Sequence, residues 1–320
     1  MKYAKHTRPL GVSNDAAEVL VEAMPWIKNI TGKTVVIKYG GSAMVDKELR
    51  QKVMADIVLM KIIGINPVIV HGGGKAISAA MERMQLPVEF KDGQRVTTPE
   101  AMDLVRTVLM GEVNQDLVAD LNAHGNFAVG LSGADGGTII AKQMSPELQR
   151  VGQITRINSY LVEDLIEGDY IPVIASVALG EDGGFYNVNA DMAAGYVAAA
   201  IGAHKIIFLT DVDGLYENFE DKDSLISNLT LFETQYLVEN NVVSAGMIPK
   251  LRSCIHALEN GVFRAHIING ITPHSLLLEI MTSTGAGTTI HATDEACKND
   301  AHPLGSFAAK LSENSIASEG

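Results

Sequence analysis

The sequence predicts an α/β protein with a mostly parallel central sheet, helices on both faces and two lobes. Two observations support this fold class. From Lys33 onward, short apolar runs alternate with segments whose apolar residues recur at helical spacing, a pattern typical of parallel sheets between helical layers. Several of the apolar runs also end directly in glycine-rich or acidic turns. Open α/β sheets bind ligands at the carboxyl ends of their strands, so these turns are the first candidates for a site.

Composition narrows the classes of function. The 320 residues are 47% hydrophobic and 20% charged, an ordinary globular balance that can fill a sizeable core. The 25 basic and 38 acidic residues give a net charge of −13 and a pI near 5.1. This balance argues against nucleic acid as a partner, because binding to a phosphate backbone needs a dense basic face. A small anion needs only a local positive site, so the composition is compatible with a small anionic ligand.

Cysteine content and apolar runs bear on the compartment. Cys254 and Cys297 are the only cysteines. They are too few for a disulfide framework or a four-cysteine metal site, so we expect a reducing, cytoplasmic compartment. Residues 1–9 are polar and basic without an apolar core, unlike a signal peptide. No apolar run approaches the roughly 20 residues that a membrane helix needs, so no membrane partner is expected.

The predicted elements follow one another along the chain. Residues 1–13 are expected to be disordered, and Asn14 with Asp15 can cap a helix over 14–30. This helix has no strand beside it in sequence, so it either packs simply on the domain or forms an oligomer arm. Strands are predicted at 34–39, 67–71, 126–131, 138–142, 170–175, 205–209 and 264–268, with a β-rich stretch at 88–97. Helices are predicted at 46–63, 75–84, 191–201, 232–240 and 249–260, with a long one from Pro99.

Changes in composition predict the domain boundaries. The segment Glu181-Asp-Gly-Gly184 is typical of a hairpin turn and is a candidate hinge between two lobes. We therefore expect an N-lobe over 31–180 and a C-lobe over 181–291. Beyond Ile290 the chain becomes small and polar, which predicts a mostly disordered tail over 292–320.

Two predicted strands end in glycine turns, and one of them contains a lysine. Gly40 and Gly41 follow the first strand, and the glycine triplet 72–74 follows the second. Consecutive glycines open backbone N–H groups to an anion, and the helix start behind the triplet adds a positive dipole end. Lys38, near the end of the first strand, would be costly there unless it is paired or used. Taken alone, each feature also fits a ligand-free turn or a lysine that reaches the surface.

Several familiar motifs are excluded. The segment Gly32-Lys33-Thr34 resembles the end of a P-loop, but Ile27 stands where that motif requires glycine. The segment also enters a strand, whereas a P-loop opens a helix there. The nine histidines show no metal-ligand spacing, and no Ser/His/Asp or Cys/His set stands out.

Two further segments could bind the acidic part of a ligand. Arg95, on a predicted hairpin, can clamp a carboxylate with two hydrogen bonds, or it is an ordinary surface arginine. Asn187, Asn189 and Asp191 alternate before a predicted helix, so they would point the same way in an extended segment. Asp191 could instead simply cap that helix, which leaves the two asparagines unexplained.

Two segments in the second half could bind a nucleotide. Asp211 and Asp213 follow an apolar strand and lie where a nucleotide or its Mg²⁺ would bind, although an Asp-Gly turn needs no ligand. The segment Gly246-Met-Ile-Pro-Lys250 opens a helix. A lysine at a helix start is favourable only beside an anion or in solvent, so Lys250 is either a ligand contact or a solvated side chain.

Taken in order, these segments resemble the amino-acid kinase family. The matching segments are Val36-Ile-Lys-Tyr-Gly-Gly-Ser42, Ile69-Val-His-Gly-Gly-Gly74, Gly93-Gln-Arg-Val-Thr97, Asn187-Val-Asn-Ala-Asp191, Leu209-Thr-Asp-Val-Asp-Gly214 and Gly246-Met-Ile-Pro-Lys250. Each segment is only moderately specific, whereas all of them in this order and spacing are highly specific. The resemblance is strongest to the branch that phosphorylates N-acetyl-L-glutamate in arginine biosynthesis.

The resemblance implies a fold, a reaction and a site. The fold would be a three-layer α/β/α sandwich with two lobes. The N-lobe, 31–180, would bind the acyl substrate and form the dimer, and the C-lobe, 181–291, would bind ATP and hold the arginine site. The reaction would be ATP-dependent phosphorylation of the γ-carboxylate of N-acetyl-L-glutamate, with Mg²⁺ held mainly by the nucleotide and no metal site in the protein. The implied catalytic residues are Lys38, Lys250, Asp191, Gly41 and Gly73. The implied acceptor-binding residues are Gly73, Gly74, Arg95, Asn187 and Asn189. The implied nucleotide-binding residues are Lys38, Gly40, Gly41, Asp211, Asp213, Gly214, Leu215, Tyr216, Gly246, Met247 and Lys250.

The implied roles suit phosphoryl transfer. Lys38 and Lys250 would flank the transferring group, and Asp191 would orient both lysines. Such a transfer needs alignment and charge neutralisation more than covalent help. A carboxylate acceptor is already ionised near pH 7, so no general base is required.

A further resemblance concerns regulation. The N-terminal helix and the segments 266–270 and 276–280 are similar to those of arginine-inhibited, hexameric members. The resemblance therefore implies L-arginine as an inhibitor and a homohexamer built as a trimer of dimers. The implied arginine-site residues are Lys205, His266, Glu279, Gly285 and Trp26. The departures from the family pattern are Lys75, where proline is usual, Ala134 in the second glycine-rich loop, Trp26 where tyrosine is usual, and Ile271 where arginine is usual.

Two other functions stay open. One is a sister kinase that acts on another acidic substrate or on a nucleotide, which the combination of Arg95 and Asn187 argues against. The other is a non-catalytic arginine-sensing protein on the same scaffold, which the presence of Lys38, Lys250 and Asp191 argues against.

Overall fold

The fold is described from a computed structural model over residues 14–44, 46–91, 93–218, 220–282 and 285–293. The disorder expected at 1–13, and nearly all of the tail expected at 292–320, lie outside the described residues. The helices are α1 Asn14–Ile30, α2 Lys47–Ile62, α3 Gly74–Arg83, α4 Pro99–Val108, α5 Gln115–Asn122, α6 Tyr160–Glu167, α7 Ala190–Ala200, α8 Leu231–Glu239, α9 Ile248–Glu259 and α10 Ser275–Met281. The strands are β1 Thr34–Tyr39, β2 Asn66–His71, β3 Phe90–Lys91, β4 Gln94–Arg95, β5 Ala128–Ser132, β6 Ile139–Gln143, β7 Gly152–Ile157, β8 Ile171–Ala175, β9 Val177–Gly180, β10 Phe185–Asn187, β11 Lys205–Thr210, β12 Leu215–Tyr216, β13 Leu225–Ile226, β14 Asn228–Thr230, β15 Arg264–Asn269 and β16 Gly287–His291.

The central sheet has eight strands in the order β14-β16-β15-β11-β1-β2-β8-β5. Its neighbouring pairs are parallel except β15 with β16, so the prediction of a mostly parallel sheet is confirmed. Strand β1 lies between β2 and β11. The turns that follow these three strands therefore lie side by side at one edge of the sheet, where ligands bind in open α/β folds.

Side chains of the central strands fill two cores, one on each face. In β1, Val36 packs in one core together with Val197 of α7, whereas Ile37 packs in the other together with Ile57 of α2. Successive residues of a strand point to opposite faces, so a strand buried on both sides is apolar throughout. Each fully buried valine or isoleucine stabilises the fold by about 1.5–3 kcal/mol. The α/β/α layering follows from this pattern, as predicted.

A second, smaller sheet of four strands has the order β10-β9-β6-β7. The strand predicted at 138–142 belongs to this sheet and not to the central one. The hairpin turn predicted at 181–184 joins β9 to β10, which pair antiparallel. Its role as a hinge, and the lobe boundaries placed there, stay predictions.

Nine of the described elements were not predicted from the sequence: β7, β9, β10, β12, β13, β14, β16, α6 and α10. Strand β7 shows the reason, because Gln153, Thr155 and Arg156 are exposed and leave no apolar run. The long helix expected from Pro99 is present but contains a π-helical segment, Leu109–Asn114, between α4 and α5. In the described part of the chain, no helix combines the length and the apolar character that a membrane span requires.

Candidate active site

A cavity of about 750 Å³ opens where the turns after β1 and β2 meet the starts of α3 and α7. Its lining brings together residues that lie far apart in sequence. Those predicted from the sequence are Lys38, Gly40, Gly41, Gly73, Gly74, Arg95, Asn187, Asn189 and Asp191. The structure thus brings these nine residues together in one cavity.

One buried carboxylate holds two lysines at the edge of this cavity. Lys38 Nζ lies 2.9 Å from Asp191 Oδ1 as an ion pair, and Lys250 Nζ donates a hydrogen bond of 3.1 Å to Asp191 Oδ2. The three side chains are 11%, 18% and 9% exposed, in the order Lys38, Lys250, Asp191. Burial alone would raise the pKa of Asp191, but the charges of the two lysines outweigh it and hold that pKa below its usual value. We call these three residues the lysine–aspartate cluster.

Helix α7 positions Asp191 without being capped by it. Asn189 is the N-cap residue, and its Oδ1 accepts hydrogen bonds from the backbone N–H groups of Asp191, at 2.9 Å, and Met192, at 3.1 Å. The alternative that Asp191 caps this helix is therefore wrong. Its carboxylate is left for the two lysines, and Ser253 of α9 anchors its backbone carbonyl with a bond of 2.6 Å.

The first glycine turn, Gly40 and Gly41, is shaped by two charged side chains. A Cβ on Gly40 would lie 2.7 Å from Lys38 Nζ, so only glycine lets that ammonium fold over the turn. Gly41 has a φ of +76°, and a Cβ there would lie 2.6 Å from Asp211 Oδ1. Both the conformation and the contact favour glycine.

The glycine triplet 72–74, which we call the acceptor turn, leads into α3 without a capping side chain. Gly73 is the N-cap residue and supplies no side-chain hydrogen bond. The start of α3 therefore presents backbone N–H groups and a positive dipole end to the cavity. A Cβ on Gly73 would lie 2.6 Å from Leu109 Cδ2 in the π-helical segment, so the turn is packed directly against that segment.

A buried pair of polar side chains supports the acceptor turn from beneath. His71 is fully buried, its Nδ1 lies 2.9 Å from the Gly72 carbonyl oxygen, and its Nε2 lies 3.0 Å from Asn114 Nδ2. Asn114 Nδ2 also donates to the Val173 carbonyl at 2.9 Å. Because the amide donates to Nε2, the imidazole proton is on Nδ1 and is donated to Gly72. Burial lowers the pKa of His71 to about 4, against a smaller opposing effect of the Gly72 carbonyl.

Sequence reasoning missed this pair. Asn114 reaches His71 from the π-helical segment, which no local residue pattern announced. The one available signal was His71 itself, a titratable residue at the end of an apolar strand. Segments of π-helix recur at functional sites in proteins.

Arg95 is a buried cation in the lining of the cavity. Its Nη2 donates to the Gly74 carbonyl at 3.0 Å and to Ser78 Oγ at 2.7 Å, and its guanidinium stacks over the Phe90 ring. Among the described residues, no carboxylate lies within ion-pair distance of it. Burial lowers its pKa. The surface-arginine alternative is wrong, since Arg95 is only 7% exposed, and a buried cation without a counter-ion favours an anionic ligand.

Asn187 lies near Arg95 on the same wall of the cavity. Its Nδ2 donates to Thr97 Oγ1 at 3.3 Å, and its backbone N–H donates to the Arg150 carbonyl. Thr97 is buried and follows Arg95 by two residues. Its contact with Asn187 therefore joins the segment 187–191 to the end of the hairpin β3–β4. Asn187, Asn189 and Asp191 all reach the same cavity, which explains their alternation.

Two of the acidic residues predicted for the nucleotide, Asp211 and Asp213, make defined contacts outside the lining of the cavity. Asp211 accepts from the Ser42 backbone N–H at 2.7 Å and from Ser42 Oγ at 3.0 Å, which ties the β11 loop to the first glycine turn. Asp213 accepts from Tyr216 Oη at 2.6 Å and from Asn269 Nδ2 at 2.8 Å. The residues predicted for the nucleotide that do not line the cavity are Asp211, Asp213, Gly214, Leu215, Tyr216, Gly246, Met247 and Lys250. Lys250 reaches that cavity's edge through Asp191.

Three of the residues predicted for arginine meet in one place. His266 Nδ1 lies 2.5 Å from Glu279 Oε1, and Glu279 Oε2 accepts from the Ala286 backbone N–H at 2.5 Å. A Cβ on Gly285 would lie 2.9 Å from the same carboxylate. Lys205 lies close enough for its charge to lower the pKa of His266, although burial is the larger cause. Trp26 is half-buried on α1, which packs against α10.

The sequence of this chain matches a known family. A model of the amino acid kinase family covers residues 33–269. The chain belongs to the amino acid kinase family. Among the family's members, the acetylglutamate kinase of Caldanaerobacter subterraneus subsp. tengcongensis is 51% identical over 276 residues, 86% of this chain and 92% of that kinase. The acetylglutamate kinase of Streptomyces avermitilis is 48% identical over 287 residues, 87% of this chain and 94% of that kinase.

Solved structures agree with the family assignment. An N-acetylglutamate synthase from Neisseria gonorrhoeae, in complex with coenzyme A and N-acetyl-glutamate, matches 86% of this chain with a TM-score of 0.76 and 25% identity. This chain spans 63% of that synthase's length. A carbamate kinase from Giardia lamblia bound to AMP-PNP matches 81% of this chain with a TM-score of 0.59 and 18% identity, a likeness of fold alone. The resemblance to the amino acid kinase family inferred from the sequence is confirmed.

Proposed function

We propose that this chain is an acetylglutamate kinase, a phosphotransferase with a carboxyl group as acceptor. It transfers the γ-phosphoryl group of ATP to the γ-carboxylate of N-acetyl-L-glutamate, the second step of arginine biosynthesis. The observation that supports the reaction most directly is the lysine–aspartate cluster beside two glycine turns. The acetylglutamate kinases that are about half identical over most of their length support the substrate.

The lysine–aspartate cluster fits the charge that develops during transfer. The bond between the β,γ-bridging oxygen and the γ-phosphorus breaks, a bond from the acceptor carboxylate oxygen to that phosphorus forms, and ADP leaves with the electron pair. Negative charge is spread over the transferred oxygens and the leaving oxygen. Lys38 and Lys250 are held on the two oxygens of Asp191 and would neutralise this charge without a change in their positions. Asp191 keeps its own charge, because its lowered pKa prevents proton uptake near neutral pH.

The acceptor end fits a small dicarboxylate. Arg95 would bind the α-carboxylate bidentately, since its charge lacks a carboxylate partner among the described residues. Asn187 would donate a hydrogen bond to the same substrate. The acceptor turn would direct backbone N–H groups of Gly73 and Gly74 to the γ-carboxylate and to the phosphoryl group that arrives on it. The γ-carboxylate is ionised near pH 7 and attacks without a general base.

ATP would enter as its Mg²⁺ complex. The described residues contain no group of three His, Cys, Asp or Glu side chains that could hold a metal ion. A Mg²⁺ ion bound mainly by nucleotide oxygens and water suits such a site, since Mg²⁺ usually keeps several waters and is held by substrate phosphates. Gly40 and Gly41 would donate backbone N–H groups to the outer phosphates. The segments 211–216 and 246–250 would contact the rest of the nucleotide.

Regulation by L-arginine and assembly into a hexamer also belong to the proposal. The buried Glu279 carboxylate, with His266 and Gly285 around it, is a partner for a guanidinium once it exchanges its present hydrogen bonds. Helix α1 presents exposed Val21 and Met24, which fits an oligomer arm. Arginine at millimolar concentration should raise the apparent KM for N-acetylglutamate, and removal of residues 1–30 should convert hexamers into dimers in native mass spectrometry. A full-length chain that is a dimer would contradict the hexamer, and a KM unmoved by arginine would contradict the inhibition.

A substrate panel tests the proposed reaction. ADP release is followed by a coupled assay with MgATP and N-acetylglutamate, glutamate, aspartate or carbamate. We expect turnover with N-acetylglutamate and little with the other acids. Preference for another acid would favour a sister kinase, and no turnover with any of them would favour a non-catalytic protein. The expected cytoplasmic location is checked separately by fractionating cells.

A further inference from the structure

Lys75 lies between the two glycine turns, at a position that the proposed reaction does not yet use. It is the second residue of α3, directly behind the acceptor turn, and it lines the cavity. Its Nζ donates a hydrogen bond of 2.8 Å to Ser42 Oγ, just beyond the first glycine turn. The ammonium group therefore spans the gap between the acceptor turn and the turn proposed for the outer phosphates.

Ser42 is fixed from its other side. Its Oγ donates to Asp211 Oδ2 at 3.0 Å, and its backbone N–H donates to Asp211 Oδ1 at 2.7 Å. The single hydroxyl hydrogen is thus directed to Asp211, and an oxygen lone pair accepts from Lys75. This chain of bonds holds the ammonium where a group that moves from nucleotide to acceptor must pass.

The charge of Lys75 has no direct counter-ion. Among the residues that the structure describes, no carboxylate lies within ion-pair distance of its Nζ. The three acidic side chains that line the same cavity are paired with other residues: Asp116 with Arg50, Glu112 with Arg83, and Asp191 with Lys38 and Lys250. A lysine held only by a neutral hydroxyl can exchange that bond for a phosphate oxygen, because hydrogen bonds between charged groups are about twice as strong.

We propose that Lys75 is a third cation of the transfer and binds an oxygen of the phosphoryl group itself. This inference rests on the proposed kinase function. The lysine–aspartate cluster combines two positive charges with one negative charge, so a single net positive charge faces the phosphoryl group. Lys75 adds a second one from the acceptor side. Cations around the transferring oxygens stabilise the transition state of this reaction.

The test compares Lys75→Met and Lys75→Arg with a matched control, Lys52→Met. Lys52 also makes a hydrogen bond, to Glu48 at 2.8 Å, but lies on the exposed side of α2 away from the cavity. Lys75 is exposed as well, so all variants should unfold at the temperature of the unaltered chain. Affinities for MgATP and MgADP are measured by calorimetry without acceptor, and turnover is measured with N-acetylglutamate.

The variants should change the affinity for MgATP without changing the affinity for MgADP. For Lys75→Met we expect MgATP to bind about tenfold more weakly, from loss of one charged hydrogen bond. MgADP affinity should stay unchanged, because ADP lacks the transferred group. The kcat/KM should fall by about 10- to 100-fold, since the contact strengthens as charge develops. Lys75→Arg should recover part of both losses, and Lys52→Met should match the unaltered chain.

Two results would overturn the inference about Lys75. One is equal MgATP affinity and turnover in Lys75→Met and the unaltered chain. The other is an equal loss of MgATP and MgADP affinity, which would place the lysine on an inner phosphate. Absence of turnover in the unaltered chain would instead contradict the kinase function, so the two failures are distinguishable.

Discussion

The two ends of the cavity balance their charges in opposite ways. At the end that holds the lysine–aspartate cluster, which we call the transfer end, Asp191 pairs with both Lys38 and Lys250 and offsets one of their two charges. At the acceptor end, Arg95 is buried beside neutral groups, with no carboxylate partner in the described part of the chain. In the proposed reaction, the transfer end would therefore be assembled before any ligand arrives, whereas the acceptor end would take its counter-charge from the substrate. The proposal assigns rate to the first end and substrate recognition to the second.

The largest expected effect on activity comes from a substitution at the transfer end. Lys38→Met removes one of two preorganised cations, and we expect kcat to fall by about 10³-fold with a modest change in ATP affinity. Steady-state kinetics in the coupled ADP assay measures both quantities. Lys52→Met is the control and should retain full activity. An unchanged kcat in Lys38→Met would remove this lysine from the mechanism.

The same comparison predicts opposite effects on stability at the two ends. Asp191→Asn leaves two lysines without a counter-charge, so we expect a loss of about 3 kcal/mol in the free energy of unfolding. Arg95→Met removes a buried, uncompensated charge, so the ligand-free protein should be at least as stable as before. Urea unfolding at pH 7.5 measures both variants. A destabilised Arg95→Met with an unaffected Asp191→Asn would reverse the comparison.

Kinetics should separate Arg95 from the lysine–aspartate cluster. For Arg95→Met we expect the KM for N-acetylglutamate to rise about 10²-fold, because a charged, bidentate contact is lost. The KM for ATP should stay nearly constant. Arg95→Lys retains the charge without the planar fork and should fall between the two. A rise in the KM for ATP alone would show that Arg95 serves the nucleotide.

The smallest effect concerns the support beneath the acceptor turn. The folded pKa of His71 is about 4, below its value of 6.5 in the unfolded chain. The unfolded state therefore takes up a proton first, and the stabilising contribution, complete above pH 6.5, is lost as the pH falls toward 4. Between pH 7 and pH 5 this one group should account for about 2 kcal/mol.

The His71→Gln variant isolates that contribution. It does not titrate, so its free energy of unfolding should decline less between pH 7 and pH 5 than that of the unaltered chain. The other histidines whose burial lowers their pKa, among them His204 and His256, are common to both proteins and cancel in the difference. Identical declines would mean that His71 takes up a proton as readily in the folded as in the unfolded state, so that burial does not lower its pKa.

The sequence was informative where chemistry requires a particular residue in a fixed order. The apolar strands and glycine turns placed Lys38 and the acceptor turn at one edge of a parallel sheet, because the backbone rules for strands and turns are local. Asn187 and Arg95 were likewise identified by residue type and order. Such positions depend on few long-range contacts, so a pattern suffices to find them.

The remainder depends on packing that no local pattern encodes. Asn114 reaches His71 only because a π-helical segment interrupts the helix there. Lys75 was noted as a departure, but its contact with Ser42 spans two turns that are distant in sequence. The cap of α7 is Asn189 and not Asp191, since two oxygens of Asp191 were needed by lysines from other elements. Each of these outcomes involves contacts between side chains that are distant in sequence.

The chemical nature of the product shows whether the chain phosphorylates the carboxylate of N-acetyl-L-glutamate. The unaltered chain is incubated with MgATP, N-acetyl-L-glutamate and hydroxylamine, which converts an acyl phosphate into a stable hydroxamate. The account predicts hydroxamate of N-acetylglutamate in amounts equal to the ADP released, and loss of both products together in Lys38→Met. ADP release without hydroxamate, or hydroxamate formed preferentially from glutamate or aspartate, would contradict it.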